Sequence, residues 1–279
     1  MYPILFEIFG RQIGTFGLSA ILGVAAAWFL VRFLMDEKDK DIPNIFLICI
    51  CGGMIGAFLL RPITRIPAII TNWEYLRQMP MGAVLSLIFG ELVFYGGLIG
   101  GVIAMLLYCR GFKIPILPIA DLFAPAVALA HGFGRIGCFL GGCCYGVSVN
   151  REHPFAVIFP VESATAPSGV PLLAIQLIEA ICLFVIATIL TIVYKKVMGK
   201  QKKMAENGYT QPRFGLIACL YGLLYSIVRF ILEFYRGDQA RGVYGILSTS
   251  QYISIALFIF STTLLIHILT RKQRPNEIE

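Results

Sequence analysis

Long apolar runs separated by short polar segments recur along the chain and determine its predicted architecture. Runs of roughly 17–22 apolar residues are long enough to cross about 30 Å of hydrocarbon as an α-helix. The pattern predicts seven membrane spans, near residues 15–33, 45–60, 92–109, 114–130, 172–194, 214–234 and 251–269. A shorter apolar run, 81–89, cannot cross and is predicted to be interfacial or re-entrant.

The composition favours a helical membrane protein over a soluble domain. Hydrophobic residues make up 58% of the 279 residues and charged residues 14%, whereas soluble domains carry about 25% charged residues. We therefore predict an all-α membrane protein with a single polytopic domain over residues 1–279. An external loop is predicted at 147–171 and a basic cytoplasmic loop at 195–213.

The distribution of Lys and Arg predicts the orientation of the chain. With the N-terminus outside, the cytoplasmic segments hold clearly more basic residues than the external segments. This bias favours an external N-terminus and a cytoplasmic C-terminus. It also accounts for the net charge of +7, together with contacts to anionic lipids, so the charge does not indicate nucleic-acid binding.

A glycine-rich stretch, 131–146, follows the fourth apolar run and is the first candidate site. The glycines and prolines between residues 132 and 171 argue against a full helix there. Glycine permits close backbone approach, so backbone N–H groups and the guanidinium of Arg135 are predicted to surround a phosphate. Helix packing through small residues is the alternative, and it explains Gly132, Gly137 and Gly141 well. It does not explain Arg135, which is costly at membrane depth without an anion.

A second charged motif lies at the end of the sixth apolar run. The spacing of Arg229, Glu233 and Arg236 places all three on one helical face, which Tyr225 extends by one turn. This face is either a self-neutralising helix end or an anion site. Two arginines and one glutamate leave a net positive charge, and the guanidinium fork suits phosphate oxygens, so a lipid phosphate is the expected anion.

Three of the eight cysteines, Cys138, Cys143 and Cys144, lie in the glycine-rich stretch. Their spacing is not a standard zinc spacing, and adjacent cysteines rarely pair with each other. A disulfide at an oxidising outer face, a metal site, or simple filling of small pockets are the alternatives. We assign no metal and no cofactor to the chain.

Several motifs together resemble the signature of the prolipoprotein diacylglyceryl transferase family. They are Asp121-Leu-Phe-Ala-Pro with Gly134-Arg-Ile-Gly-Cys-Phe and Gly146, Arg229-Phe-Ile-Leu-Glu233-Phe-Tyr-Arg236, Tyr95-Gly-Gly-Leu-Ile-Gly, Gln176-Leu-Ile-Glu179, and Leu247-Ser248 with Gln251. The resemblance covers nearly the whole chain in the same order. It implies a seven-helix enzyme with an external N-terminus, in agreement with the charge distribution.

The resemblance also implies a reaction. The diacylglyceryl group of phosphatidylglycerol moves to the lipobox cysteine thiol of a preprolipoprotein signal peptide, leaving glycerol phosphate. The enzyme is expected in the bacterial cytoplasmic (inner) membrane, with its active site toward the outer face. Arg135 and Arg229 are expected to hold the headgroup and Glu233 to fix Arg229. The other residues expected around the phospholipid are Gly134, Gly137, Gly146, Tyr225 and Arg236.

Some positions depart from the family pattern, above all at Tyr95, where the family has an essential histidine. Cys138, Gly141 and Cys143 replace two asparagines and a glutamate. The candidate catalytic base is therefore Tyr95 or His131, four residues before Arg135. The alternative function is that of a paralogue that binds phospholipid headgroups but performs a different transfer or thiol and redox chemistry.

Overall fold

Helices dominate the computed structural model, which describes residues 4–8, 11–36, 39–89, 94–161, 163–206, 213–238 and 243–270. The helices are α1 (Thr15–Leu34), α2 (Ile42–Thr71), α3 (Trp73–Leu76), α4 (Met81–Phe89), α5 (Phe94–Gly111), α6 (Ile116–Gly141), α7 (Ile175–Glu206), α8 (Leu216–Leu232) and α9 (Thr249–Thr270). A 3₁₀ turn, Glu233–Tyr235, extends α8.

Six of the described helices are long and apolar enough to cross a membrane, namely α1, α2, α6, α7, α8 and α9. A shorter apolar segment, Gly96–Gly111, lies in α5 at the position of the predicted third span. The prediction of an all-α membrane protein is therefore confirmed. The number of crossings and the orientation stay predictions.

The described residues also form three two-stranded antiparallel sheets, one before α1 and two between later helices. The strands are β1 (Ile4–Ile8) with β2 (Arg11–Gly14), β3 (Ala156–Ile158) with β4 (Pro171–Leu173), and β5 (Val243–Tyr244) with β6 (Leu247–Ser248). The predicted external loop at 147–171 thus contains β3 and ends at β4. This pairing folds the loop back toward the start of α7.

The glycine-rich stretch is more helical than its composition predicts, because α6 continues to Gly141 rather than ending near residue 130. Glycine in a helix costs about 1 kcal/mol relative to alanine, but tertiary packing of the helix face outweighs this penalty. A Cβ on Gly132 would lie 2.5 Å from the ring of Phe184 in α7. The helix ends where Gly142 adopts a φ of +69°.

The predicted basic loop at 195–213 is also helical over its first part, because α7 runs to Glu206. The end of this helix consists of strong helix formers, namely Lys, Gln, Met, Ala and Glu. A Gln201 side-chain amide donates a hydrogen bond to the carbonyl of Arg213 at 2.8 Å. The basic end of α7 is thus joined to the segment that leads into α8.

Asp121 of α6 holds the beginning of α8. Its fully buried carboxylate accepts hydrogen bonds from the backbone N–H groups of Gly215 at 2.6 Å, Ile217 at 2.8 Å and Ala218 at 2.9 Å. The first N–H groups of a helix have no partner within the helix, and a negative charge there also favours the helix dipole. This carboxylate therefore fixes α8 against α6.

By its contacts the chain divides into two compact units, Met1–Leu34 with Leu117–Glu279, and Met35–Ile116. The core of the first unit is formed by α6, α7 and α8. Its buried apolar residues are Ala124, Ala128, Ile186, Ala187, Leu190 and Ile217. The prediction of a single domain over 1–279 stays a prediction.

In the second unit, α2 and α5 approach each other closely through glycines. A Cβ on Gly100 would fall against the carbonyl oxygen of Gly52, and a Cβ on Gly96 against that of Gly56, well inside van der Waals distance. Small residues four apart allow the backbones of membrane helices to pack in this way.

Gly100→Ala is expected to lower the stability of the protein by about 1–3 kcal/mol, because the facing backbone must move away. Thermal unfolding in detergent measures this effect. Gly111→Ala at the end of the same helix is the matched control, since no atom lies within 4 Å of its added Cβ. Equal unfolding midpoints for the two variants would contradict the packing described above.

Candidate active site

Charged side chains from α6, α7 and α8 meet around Glu179. Its Oε1 lies 3.1 Å from Nη2 of Arg135, and its Oε2 lies 3.5 Å from Nη1 of Arg229. All three side chains are largely buried. One carboxylate of α7 thus bridges two guanidinium groups that belong to different helices, and it brings together the two arginines expected from the sequence to act together.

The face predicted at the end of α8 is present. Arg229 Nη2 lies 2.7 Å from Glu233 Oε2, one turn further along the chain. The same Nη2 donates a hydrogen bond to the hydroxyl of Ser250 in α9 at 3.1 Å. Nη1 of Arg236 lies 4.0 Å from the Glu233 carboxylate. The Arg229 guanidinium is therefore held by groups of α7, α8 and α9.

Arg236 has a second carboxylate partner beyond the end of α8. Its Nε donates to Asp238 Oδ1 at 2.8 Å, and its Nη2 contacts the other carboxylate oxygen. Burial alone would lower the pKa of the Arg236 guanidinium, but the hydrogen bonds and charge of Asp238 raise that pKa above its usual value. This fork-to-fork pair keeps Arg236 charged and fixed in direction.

The cluster as a whole pairs three guanidinium groups with three carboxyl groups, so its formal net charge is zero. The sequence of α8 alone predicts a net positive charge. Anion binding then depends on hydrogen-bond donors that the carboxylates leave available. Nε of Arg135 is buried and has no hydrogen-bond partner among the described residues. A buried guanidinium N–H without a partner is costly, and an anionic ligand would relieve that cost.

Tyr225 and His131 lie beside the bridged arginines. The Tyr225 hydroxyl donates to Glu179 Oε1 at 3.3 Å. The imidazole of His131 packs edge-on against the Tyr225 ring, with 4.9 Å between the ring centroids. His131 is buried in α6, one turn before Arg135. The structure therefore places the candidate base in contact with a side chain that touches Glu179.

The three glycines expected around the phospholipid have different surroundings. A Cβ on Gly134 would meet no atom within 4 Å, so this position is open. A Cβ on Gly137 would lie 3.0 Å from the Phe16 ring of α1, so this glycine packs α6 against α1. A Cβ on Gly146 would lie 2.6 Å from the carbonyl oxygen of Leu173.

Gly146 joins the segment after α6 to two other elements. Its N–H donates to the Leu173 carbonyl at 3.0 Å, and the neighbouring Val147 N–H donates to Tyr235 O at 2.9 Å. The N–H of Gly237 donates in turn to Tyr145 O at 3.0 Å. The absence of a side chain at Gly146 therefore allows the end of α8 to approach the start of α7.

Tyr95 lies near the beginning of α5, in the second compact unit. Its side chain lies outside the described residues. Its assignment as a catalytic residue therefore stays a prediction.

Cys138, Cys143 and Cys144 lie together and carry free thiols rather than a disulfide. Their sulfur atoms all lie within 4.8 Å of one another. Cys138 is in the last turn of α6, and the Cys143 N–H donates to its carbonyl at 3.0 Å. Cys144 has a φ of +57°, which turns the backbone after Cys143. This turn places the sulfur of Cys144 next to the other two. In a continuous helix it would point away from them.

Glu179 is the central residue that the sequence did not assign to the site. The signal for it was the motif Gln176-Leu-Ile-Glu179 at the start of an apolar span, because ionisable residues in such spans usually serve a function. Gln176 is also buried, and its amide donates to the carbonyl of Cys143 at 2.7 Å. The first turn of α7 therefore contacts both the arginines and the cysteine segment.

A family model for the prolipoprotein diacylglyceryl transferases matches residues 3–267 of the chain. The chain belongs to this family. It is 38% identical over 273 residues to the phosphatidylglycerol–prolipoprotein diacylglyceryl transferase of Clostridium tetani, covering 94% of this chain and 97% of that protein. A second transferase of this name from Clostridium perfringens is 37% identical and covers 93% of this chain and 92% of its own length.

A more distant member of the transferase family, from Chlorobaculum tepidum, is 29% identical over 86% of this chain and 80% of its own length. The resemblance inferred from the motifs is thus confirmed. The site built around Glu179 lies within the part of the chain that the family model matches.

Proposed function

We propose that this protein transfers the diacylglyceryl group of phosphatidylglycerol to the lipobox cysteine thiol of preprolipoproteins. The relatives are named for these two substrates. The observation that carries the proposal is the bridge in which Glu179 holds Arg135 and Arg229, from two helices, beside one another. Two fixed guanidinium groups at membrane depth suit the phosphate of a phospholipid headgroup.

The headgroup binds through guanidinium donors that the carboxylates do not use. Arg135 offers its buried Nε, for which the described residues supply no acceptor. The open position at Gly134, next to Arg135, leaves room for close approach of the lipid. Glu179 and Glu233 act behind the arginines as positioning residues, because they fix the direction of the guanidinium planes.

The reaction requires a nucleophilic thiolate and a stabilised leaving group. The thiolate attacks the glycerol carbon that is bonded to the phosphate oxygen. The C–S bond forms, the C–O bond breaks, and glycerol phosphate departs with the electron pair. Negative charge grows on the departing phosphate, where Arg135 and Arg229 are already oriented. Preorganised donors of this kind are each worth about 10²–10³-fold in rate.

The positions of the site residues near the ends of three helices support a proposal for the side of the membrane on which the site lies. Arg135 is near the end of α6, Glu179 near the start of α7 and Arg229 near the end of α8. The opposite end of α7 contains Lys195, Lys196 and Lys200. Since basic residues concentrate on the cytoplasmic side, we propose that the site faces outward and the N-terminus is external, in the bacterial cytoplasmic membrane.

Complementation tests the proposed function. The chain is expressed in bacteria depleted of their own transferase, and lipid modification of a reporter lipoprotein is followed by its mass. We expect modification with the wild-type chain and none with the double variant Arg135→Ala/Arg229→Ala. An unmodified reporter, despite normal membrane insertion of the wild-type chain, would refute the proposal.

His131 is proposed as the base because it lies one turn from Arg135 and packs on Tyr225. We expect His131→Ala to lower the transfer rate by about 10²–10⁴-fold, the usual contribution of a positioned base. Tyr95→Phe is expected to retain most of the rate. Initial rates with a lipobox peptide and phosphatidylglycerol measure both variants, and the opposite ranking would assign the base to Tyr95.

A further inference from the structure

The three thiols at the end of α6 form a group that neither the arginine site nor helix packing explains. Cys138, Cys143 and Cys144 are the one group of metal-ligating side chains found among the described residues. We propose that these cysteines bind one zinc ion, and that its open coordination position binds the thiol of the preprolipoprotein. This inference rests on the proposed function, and it departs from the expectation from sequence that no metal is used.

The spacing of the sulfur atoms suits one ion. Zinc binds cysteine sulfur at about 2.3 Å, so two sulfurs on a tetrahedral ion lie about 3.8 Å apart. The three Sγ atoms lie within 4.8 Å of one another, so small side-chain rotations bring them onto one centre. All three cysteine residues are partly exposed.

The backbone holds the three cysteines in this arrangement independently of any ion. The Cys143 N–H is bonded to the Cys138 carbonyl, and Gln176 holds the Cys143 carbonyl from α7. Positive φ angles at Gly142 and Cys144 turn the chain around the end of α6. A preformed set of ligands lowers the ordering cost that metal binding otherwise carries.

The group is next to the proposed phosphate site. Cys138 lies three residues after Arg135, on the same face of α6. Tyr145, which follows Cys144, accepts a hydrogen bond at 3.0 Å from the N–H of Gly237, the residue after Arg236. Gln176, which binds the Cys143 carbonyl, is one turn before Glu179. A thiol bound at this centre would therefore meet a phospholipid held by the arginines.

Three protein ligands and one open position are the arrangement of catalytic rather than structural zinc sites. A thiol that coordinates the ion loses its proton. The acceptor of this proton is His131, the base proposed above. The bound thiolate attacks the glycerol carbon, the C–S bond forms, and the phosphate leaves with the C–O electron pair. The proton then passes to the departing phosphate. No group is oxidised or reduced.

Metal binding is tested on the full-length protein in detergent, reduced with a phosphine that does not coordinate as a thiol. We expect about one zinc per chain by mass spectrometry, and sulfur-to-cobalt charge-transfer absorption after cobalt replacement. Cys138→Ser and Cys143→Ser are each expected to weaken zinc binding at least about tenfold, since even indirect changes around a metal cost 10–100-fold. Cys51→Ser, an exposed position in α2, is the matched control.

The open position is tested with a lipobox peptide and its Cys→Ser counterpart. The thiol peptide is expected to change the cobalt spectrum, and the serine peptide is not. Equal spectra with both peptides, or a wild-type chain that binds no zinc after full reduction, would overturn the proposal. Thiol alkylation before and after reduction shows whether the isolated protein contains a disulfide. The zinc measurement on the fully reduced protein decides the proposal in either case.

Transfer activity separates this inference from the proposed function. We expect chelator-treated enzyme to lose at least tenfold in transfer and zinc to restore it. Equal transfer with and without zinc would refute the role of the ion in activating the thiol while supporting the transferase function. Stoichiometric zinc binding together with no transfer under any condition would refute the function, and with it the catalytic role of the ion.

Discussion

Arg229→Ala is expected to reduce transfer of the diacylglyceryl group by at least about 10²–10³-fold, the loss typical of one preorganised donor at a developing negative charge. The guanidinium contacts Glu179, Glu233 and Ser250 at 3.5, 2.7 and 3.1 Å. Its removal takes away a proposed donor to the departing phosphate, so kcat should fall together with kcat/KM.

Removal of Arg229 also leaves carboxylates buried with fewer partners, which destabilises proteins by about 3–5 kcal/mol. Arg229→Lys separates this effect from catalysis, because it keeps the charge but loses the planar fork. We expect the lysine variant to unfold near the wild-type temperature and still lose most of its activity. Arg151→Ala, at an exposed position before β3, is the control. Full activity of Arg229→Lys would exclude a bidentate role in phosphate binding.

Glu179→Ala is expected to lower the stability of the protein strongly, because it leaves Arg135 and Arg229 facing each other without the carboxylate between them. Breaking a buried ion pair by removing one partner costs about 3–5 kcal/mol. Thermal unfolding in detergent measures this loss. Glu152→Ala, at an exposed position, is expected to leave the unfolding midpoint unchanged.

Glu179→Gln tests the positioning role with little change in shape. The amide retains an acceptor for the Tyr225 hydroxyl but not the charge that orients both guanidinium groups. We expect an increase in KM for phosphatidylglycerol and a fall in kcat of about 10²-fold. Glu179→Asp should recover part of both. If kcat and KM of Glu179→Gln equal the wild-type values, Glu179 does not position the arginines.

The spans and the face of α8 were predictable because their information is local. Apolar length alone identifies the spans, and the spacing of Arg229, Glu233 and Arg236 alone puts them on one face. The bridging role of Glu179 is different, since it lies 50 residues before Arg229 in the chain. No local sequence pattern relates Glu179 to Arg229. The packing of α7 on α8 brings them together.

The segment after residue 130 shows how packing outweighs propensity. Its glycines predict an irregular chain, yet Gly132 and Gly137 fit against side chains of α7 and α1, and the helix continues to Gly141. The position of Cys144 could not be predicted for a related reason. A regular helix would separate it from Cys138, whereas the turn at Gly142 brings their sulfur atoms together.

The carboxylate of Asp121 has a consequence for the permitted lengths of two helices. It fixes the first turn of α8 to one point of α6. The positions of Arg135 along α6 and of Arg229 along α8 are therefore both set relative to Asp121. Arg135 follows Asp121 by about four helical turns, or roughly 21 Å, and one inserted residue would rotate it by about 100°. An insertion or deletion between Asp121 and Arg135 would therefore separate Arg135 from Glu179, whereas a substitution there would keep the spacing.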